Sequence, residues 1–109
     1  MPREGTMVRV IIEHKARDAE RVIDIIRELR NEAMKQPGYI TGETLVNTED
    51  TSNVLVISTW QNLEDWEAWD TSETRLKITE PIKQLLVEPY TVRTYRYYLI
   101  RQNRVWSTF

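Results

Sequence analysis

The sequence predicts an α+β domain of the ferredoxin-like kind, with secondary structure in the order βαββαβ and one antiparallel four-stranded sheet. Three patterns predict it. Apolar and polar residues alternate in steps of two through Met7 to His14, and a β-branched run fills Asn53 to Trp60. Apolar residues recur at three and four between Asp18 and Ala33, the period of a helix packed on one side. A last stretch rich in Tyr, Val and Thr, Tyr90 to Ile100, follows the second helical region. With 109 residues the chain has material for one modest core. We expect a single domain over 1–109, with its core at about 7–100 and a C-terminal tail at 101–109.

In the first strand Val8, Val10, Ile12 and His14 share one face, and Met7, Arg9, Ile11 and Glu13 the other. Asp18 can cap a helix that carries Val22, Ile25, Ile26, Leu29 and Ala33 and stops at Gln36-Pro37-Gly38. Tyr39 to Thr48 and Asn53 to Trp60, joined by a polar loop at 49–52, read as a hairpin. Asn62 can cap a short helix bearing Leu63, Trp66 and Trp69. Thr71 or Ser72 opens another, which Pro81 interrupts before Ile82, Leu85 and Leu86. Glu88-Pro89 closes the helical part ahead of the last strand.

Strand Asn53 to Trp60 carries aliphatic side chains on both faces, Val54 and Val56 against Leu55 and Ile57. Helices on one side of a sheet cover only one of these faces, so the other calls for a second layer. Pairing of two identical sheets supplies it most simply, and we expect a homodimer. A central strand with a lightly covered open face is the other reading.

Composition excludes several functions. Fifteen Lys and Arg against seventeen Asp and Glu give a net charge of -2, without the positive field that collects nucleic acid. No cysteine is available for disulfides, thiolate metal sites or nucleophilic catalysis. Three glycines, none in a phosphate-cradling loop, disfavour nucleotides and flavin, and a single histidine disfavours a dedicated metal site. No signal core or membrane-length apolar run is present, so no membrane partner and a cytoplasmic location are expected.

The segment from Ile57 to Trp69 joins a strand to a helix and places Trp60, Trp66 and Trp69 within ten residues. Such a cluster makes either a packed corner or the wall of an aromatic cavity. The runs QPGYITGETL and VLVISTWQNLEDWEAWDTSE carry a resemblance to the antibiotic biosynthesis monooxygenase (ABM) superfamily, extending over about 7–97. The resemblance implies a dimeric α+β barrel of two facing sheets, with a ligand cavity between sheet and helices in each subunit. Its members include cofactor-independent oxygenases of aromatic polyketides, haem-degrading enzymes and small proteins with no assigned substrate, so fold alone does not select a function.

A cofactor-free oxygenase requires an apolar space for a hydroxyarene, a base, and polar groups that hold the resulting anion. His14 is the candidate base, on the face of Val8, Val10 and Ile12; its plainer role is a backbone hydrogen bond at the rim of the core. Trp60, Trp66 and Trp69 are candidate walls, with core packing as the alternative. Tyr95 and Tyr97 are candidate hydrogen-bonding partners of substrate oxygen, and Arg93 on the same strand face is a candidate for an anionic ligand. In the haem-degrading branch an Asn at the end of the first strand accompanies a helix Trp and an iron-ligating His. Here Trp69 matches the Trp, His14 stands at the Asn and Thr79 at the His. Thr is a poor haem ligand. The expectation is therefore a small monooxygenase acting on an aromatic or quinol-type substrate with no cofactor. Haem binding or degradation, and a non-catalytic ligand-binding or assembly module, are the alternatives.

Overall fold

A computed structural model of the chain describes residues 6–98. The order is β1 (Val8–Lys15), α1 (Ala19–Ala33), β2 (Tyr39–Val46), β3 (Asn53–Trp60), α2 (Leu63–Asp70), α3 (Glu73–Thr79), a 3₁₀ segment (Glu80–Leu85) and β4 (Thr91–Arg96). All strand pairs are antiparallel in the spatial order β2-β3-β1-β4, the ferredoxin-like arrangement expected. The tail at 101–109 and the expected end of the last strand lie outside the described residues. Among the described residues no helix is long and apolar enough to cross a membrane.

Local chemistry sets the helix boundaries. Asp18, Asn62 and Ser72 each hold extended backbone and accept a hydrogen bond from the N–H three residues on, which satisfies a donor that a helix start leaves open. Pro81 has no N–H to continue an α-helical ladder, and from Glu80 the chain tightens into 3₁₀ geometry. The α1 residues Val22, Ile26 and Ala33 are buried along the stripe that their spacing predicts.

Val8, Val10, Ile12 and His14 are buried beneath the helices, opposite Trp60, Ser58, Val56 and Val54 of β3. Two apolar clusters form on this side. Val8, Val10, Ile12, Ala33, Trp60, Trp66 and Trp69 make one; Ala16, Val22, Ile26, Val54, Ile82 and Leu86 make the other. Val56 and Tyr90 touch both, so they mark the seam. The opposite face, with Ile11, Leu45, Leu55 and Ile57, has no helix over it and is half-buried to exposed.

Gly38 adopts φ 86° at the entry to β2, and a Cβ there would overlap the Asp65 carboxylate. The left-handed backbone alone costs a non-glycine residue ~1–2 kcal/mol. Gly38→Ala should therefore lower the unfolding free energy by at least that much, read as a lower urea midpoint with an unchanged m-value; a loss of a few tenths of a kcal/mol would mean that the loop relaxes freely.

Candidate functional site

The seam between the two clusters does not close. A cavity remains between the sheet and helices α1 and α3, lined by Ile12, His14, Val56, Ser58 and Trp60 from the sheet and by Ile26, Trp66, Trp69, Arg75 and Thr79 from the helices. About 50 Å³ is open to the centre of a water molecule, room for a few waters at the ~10–15 Å³ each needs. A ligand of one aromatic ring or more must displace water and spread the lining. Arg30, Tyr39 and Gly42 are among its half-exposed members, and they meet where α1 crosses β2.

The aromatic wall follows from local sequence. Trp60 ends β3 pointing under α2, 1% exposed, and its Nε1 donates to Ser58 Oγ at 3.0 Å. Tyr39 packs edge-on against it at 5.4 Å between ring centroids and Trp66 at 5.8 Å, each contact contributing ~0.5–1.5 kcal/mol beyond area burial. Trp66 and Trp69, three apart on α2, both reach the cavity. The three tryptophans singled out in the sequence thus stand on one wall.

His14 also lies on that cavity, 4% exposed, with its ring 5.4 Å from Tyr90. Its Nδ1 is 3.2 Å from the Val54 carbonyl oxygen. A carbonyl only accepts, so Nδ1 carries the hydrogen and the lone pair resides on Nε2. Burial holds the imidazole pKa below its ordinary value; the Val54 hydrogen bond opposes this, and the positive charge of Arg75 reinforces it. The imidazole is neutral at neutral pH and is a base by its Nε2. His14 is thus tied to backbone at the rim of the core and also lines the cavity.

Tyr95, Tyr97 and Arg93 do not join this site. Tyr95 pairs with Arg9 and Arg93 with Ile11, so both side chains stand on the face away from the helices. Tyr97 follows the end of β4, with its N–H on the Met7 carbonyl. Tyr95 and Tyr97 are 53% and 43% exposed. His14 lies five positions along β1 from Arg9, the partner of Tyr95, or about 17 Å at ~3.3 Å per residue. Pairing register, not the polarity of the strand, excludes them.

Residues that sequence reading passed over take their place. Arg75 is 3% exposed, lies over the Trp66 ring at 5.3 Å and pairs through Nε with Asp70 at 3.2 Å. Arg30 hydrogen-bonds Thr44 Oγ1 beside Tyr39, whose hydroxyl burial holds above its ordinary pKa while Arg30 opposes the shift. Gly42 gives that hydroxyl room, since a Cβ there would overlap it. A weak signal existed for Arg75 alone: it follows the Ser72 cap on a short helix beside the tryptophans.

Haem does not fit these residues. Thr79 stands where an iron-ligating imidazole would be needed, its hydroxyl is a poor haem ligand and donates back to the Arg75 carbonyl at 2.9 Å, and the one imidazole on the cavity, His14, is tied through Nδ1 to backbone on the opposite wall.

The depressed His14 pKa makes stability depend on pH in a defined direction. Below its ordinary value of 6.5 the unfolded chain takes up a proton that the folded chain refuses, so stability is lost as pH falls. Between about pH 7.5 and 5.5 the melting temperature should fall more steeply for the wild type than for His14→Gln; parallel profiles would mean that His14 charges as readily folded as unfolded.

Comparison with known proteins agrees with this architecture. A structure described as a putative antibiotic biosynthesis monooxygenase from Nitrosomonas europaea is similar with TM-score 0.78 and 15% identity, covering 89% of this chain and 95% of that one. SnoaB of Streptomyces nogalater, a cofactor-independent oxygenase, is similar with TM-score 0.74 and 13% identity, covering 86% and 97%. At these identities the likeness is one of fold. Protein SchA of Streptomyces halstedii is 27% identical over 104 residues, 92% of this chain, which spans about a quarter (26%) of the length of that relative. The family described as antibiotic biosynthesis monooxygenase matches residues 7–80, more than half of the sequence. The chain therefore belongs to the antibiotic biosynthesis monooxygenase family.

Proposed function

We propose that the protein is a cofactor-independent monooxygenase of a small hydroxyarene or quinol-type substrate, with His14 as the base. One observation carries the reading: the single imidazole of the chain is buried on the wall of an aromatic cavity, with Nδ1 held by backbone and Nε2 left with its lone pair. Trp60, Trp66 and Trp69 pack the substrate ring. That a cofactor-independent oxygenase shares the fold supports the reaction class.

The chemistry balances without an external reductant. Nε2 takes the phenolic proton, and the arenolate is electron-rich enough to reduce dioxygen. A carbon–oxygen bond forms at a ring carbon bearing hydrogen, and the peroxide anion regains the proton from His14. Loss of the ring C–H proton then breaks the O–O bond, leaving a quinone and water. The substrate loses four electrons and dioxygen gains four. A neutral phenol enters the apolar cavity at low desolvation cost and meets an imidazole that burial keeps neutral and able to accept a proton.

We further propose that two copies pair through the uncovered sheet face, with Arg93 and Tyr95 in the interface. The aliphatic residues Ile11, Leu45, Leu55 and Ile57 on that face, which no helix covers among the described residues, support this.

Oxygen uptake with a panel of one- and two-ring hydroxyarenes should reveal turnover. His14→Gln should lower kcat by about 10²–10⁴-fold with substrate affinity retained. Binding without oxygen uptake, before and after the substitution, would make this a binding module. Sedimentation should give twice the mass of one chain, and Ile57→Arg should give monomers; a monomeric wild type would refute the pairing.

A further inference from the structure

The cavity contains an imbalance that the base does not use. Its walls are apolar, yet a permanently charged guanidinium is buried in them. Arg75 has N–H donors on three nitrogens and no acceptor capacity. Nε is committed to Asp70, whose carboxylate is 40% exposed and so lies toward solvent. Among the described residues no hydrogen bond is drawn from Nη1 or Nη2, although the side chain is 3% exposed and lines the cavity. Those nitrogens are also not sealed: the one buried side-chain nitrogen without a partner among the described residues is Arg9 Nε, on the other face of the sheet. The free end of Arg75 therefore abuts the open space of the cavity.

Neighbouring groups have the same polarity. The indole nitrogens of Trp66 and Trp69, both 3% exposed and both on the cavity, donate to no acceptor among the described residues. The Ser58 oxygen already accepts from Trp60, which leaves its own hydrogen to donate. Thr79 is spent on the backbone. Around the one cation buried in the cavity the polar groups of the lining are mostly donors not otherwise engaged, with His14 Nε2 and the Ser58 and Tyr39 hydroxyl oxygens as acceptors. Such a lining is complementary to a ligand that presents oxygen lone pairs or negative charge.

We propose that Arg75, assisted by the indole N–H groups of Trp66 and Trp69, binds the anionic oxygen of an ionised hydroxyarene. The assignment rests on the oxygenase reading and deepens it by giving the arenolate that His14 generates a holder for its oxygen. Three features of the cavity converge on it. The cation is buried, so its attraction for an oxyanion is weakly screened. Its Nε is fixed by Asp70 and its plane by Trp66, so the fork is preorganised. It shares the cavity with His14, so proton acceptor and anion holder face one substrate. Arg30 also lines the cavity but is half-exposed and already bonded to Thr44, which makes it the comparison cation.

The test is equilibrium binding of 4-nitrophenol, whose phenol and phenolate absorb at different wavelengths, alongside its neutral isostere 4-nitroanisole. Turnover is not required, so the result is independent of whether the protein is an oxygenase. The wild type should bind the phenolate more tightly than the anisole and lower the apparent pKa of the bound phenol. Arg75→Met should weaken phenolate binding about tenfold or more and leave anisole binding within about twofold, and Arg75→Lys should restore part of the preference. Arg30→Met should leave the preference intact. Preferential binding of the neutral phenol or of the anisole by the wild type would overturn the assignment without any variant, as would loss of the preference in Arg30→Met with retention in Arg75→Met. Phenolate binding with no oxygen uptake on any hydroxyarene would uphold the anion site and refute the oxygenase; uptake without a phenolate preference would do the reverse.

Discussion

The packing of the Trp60 indole at the end of β3 fixes the position of most of what surrounds the cavity. Its nitrogen is satisfied by Ser58 two residues back on the same strand face, so the ring can be buried to 1% exposure without an orphaned donor. From there contacts run outward in two directions, to Tyr39 at the start of β2 and to Trp66 on α2. Trp66 in turn carries the Arg75 guanidinium on its ring. Removing that indole would leave a void in the first apolar cluster and free the groups that orient both Tyr39 and Arg75.

Electrostatic balance in the cavity follows from what apolar walls do to charge. Burial favours the neutral form of His14, and the nearby Arg75 adds repulsion against its protonation. Arg75 cannot relieve its own burial by losing a proton, so it relies on Asp70, the face of Trp66 and the open space beside it. A neutral base and a fixed cation thus coexist in one small space because their intrinsic proton affinities differ widely. The same walls that keep His14 neutral raise the value of an oxyanion to Arg75.

The sheet imposes a division of labour. Residues paired with Val8, Val10, Ile12 and His14 belong to the helix side and to the cavity; their neighbours along each strand belong to the other surface. On that other surface aliphatic side chains and the unsatisfied Arg9 Nε collect on the central strands. The cavity and the open face therefore draw on alternate residues of the same strands, so a substitution on one face leaves the side chains of the other largely untouched.

How much was legible in the sequence depends on the range of the interaction. The strand and helix periods, the caps at Asp18 and Asn62, the narrowing of the third cap to Thr71 or Ser72, the break at Pro81 and the burial of the His14 face are local or set by a single repeat, and the sequence alone determined them. The placement of three indoles near one wall also follows from their closeness in the chain. Tertiary structure alone decided which face of β4 meets the helices, because alternation defines two faces while only pairing with β1 says which is covered. It likewise decided the roles of Arg75, Arg30 and Tyr39. In sequence Arg75 and Arg30 are two charges among many on helices, and only the crossing of α1 over β2 and the docking of α3 beneath Trp66 turn one into a rim group and the other into a buried cation. Burial of a charge is a property of everything packed around it, and those neighbours come from distant parts of the chain.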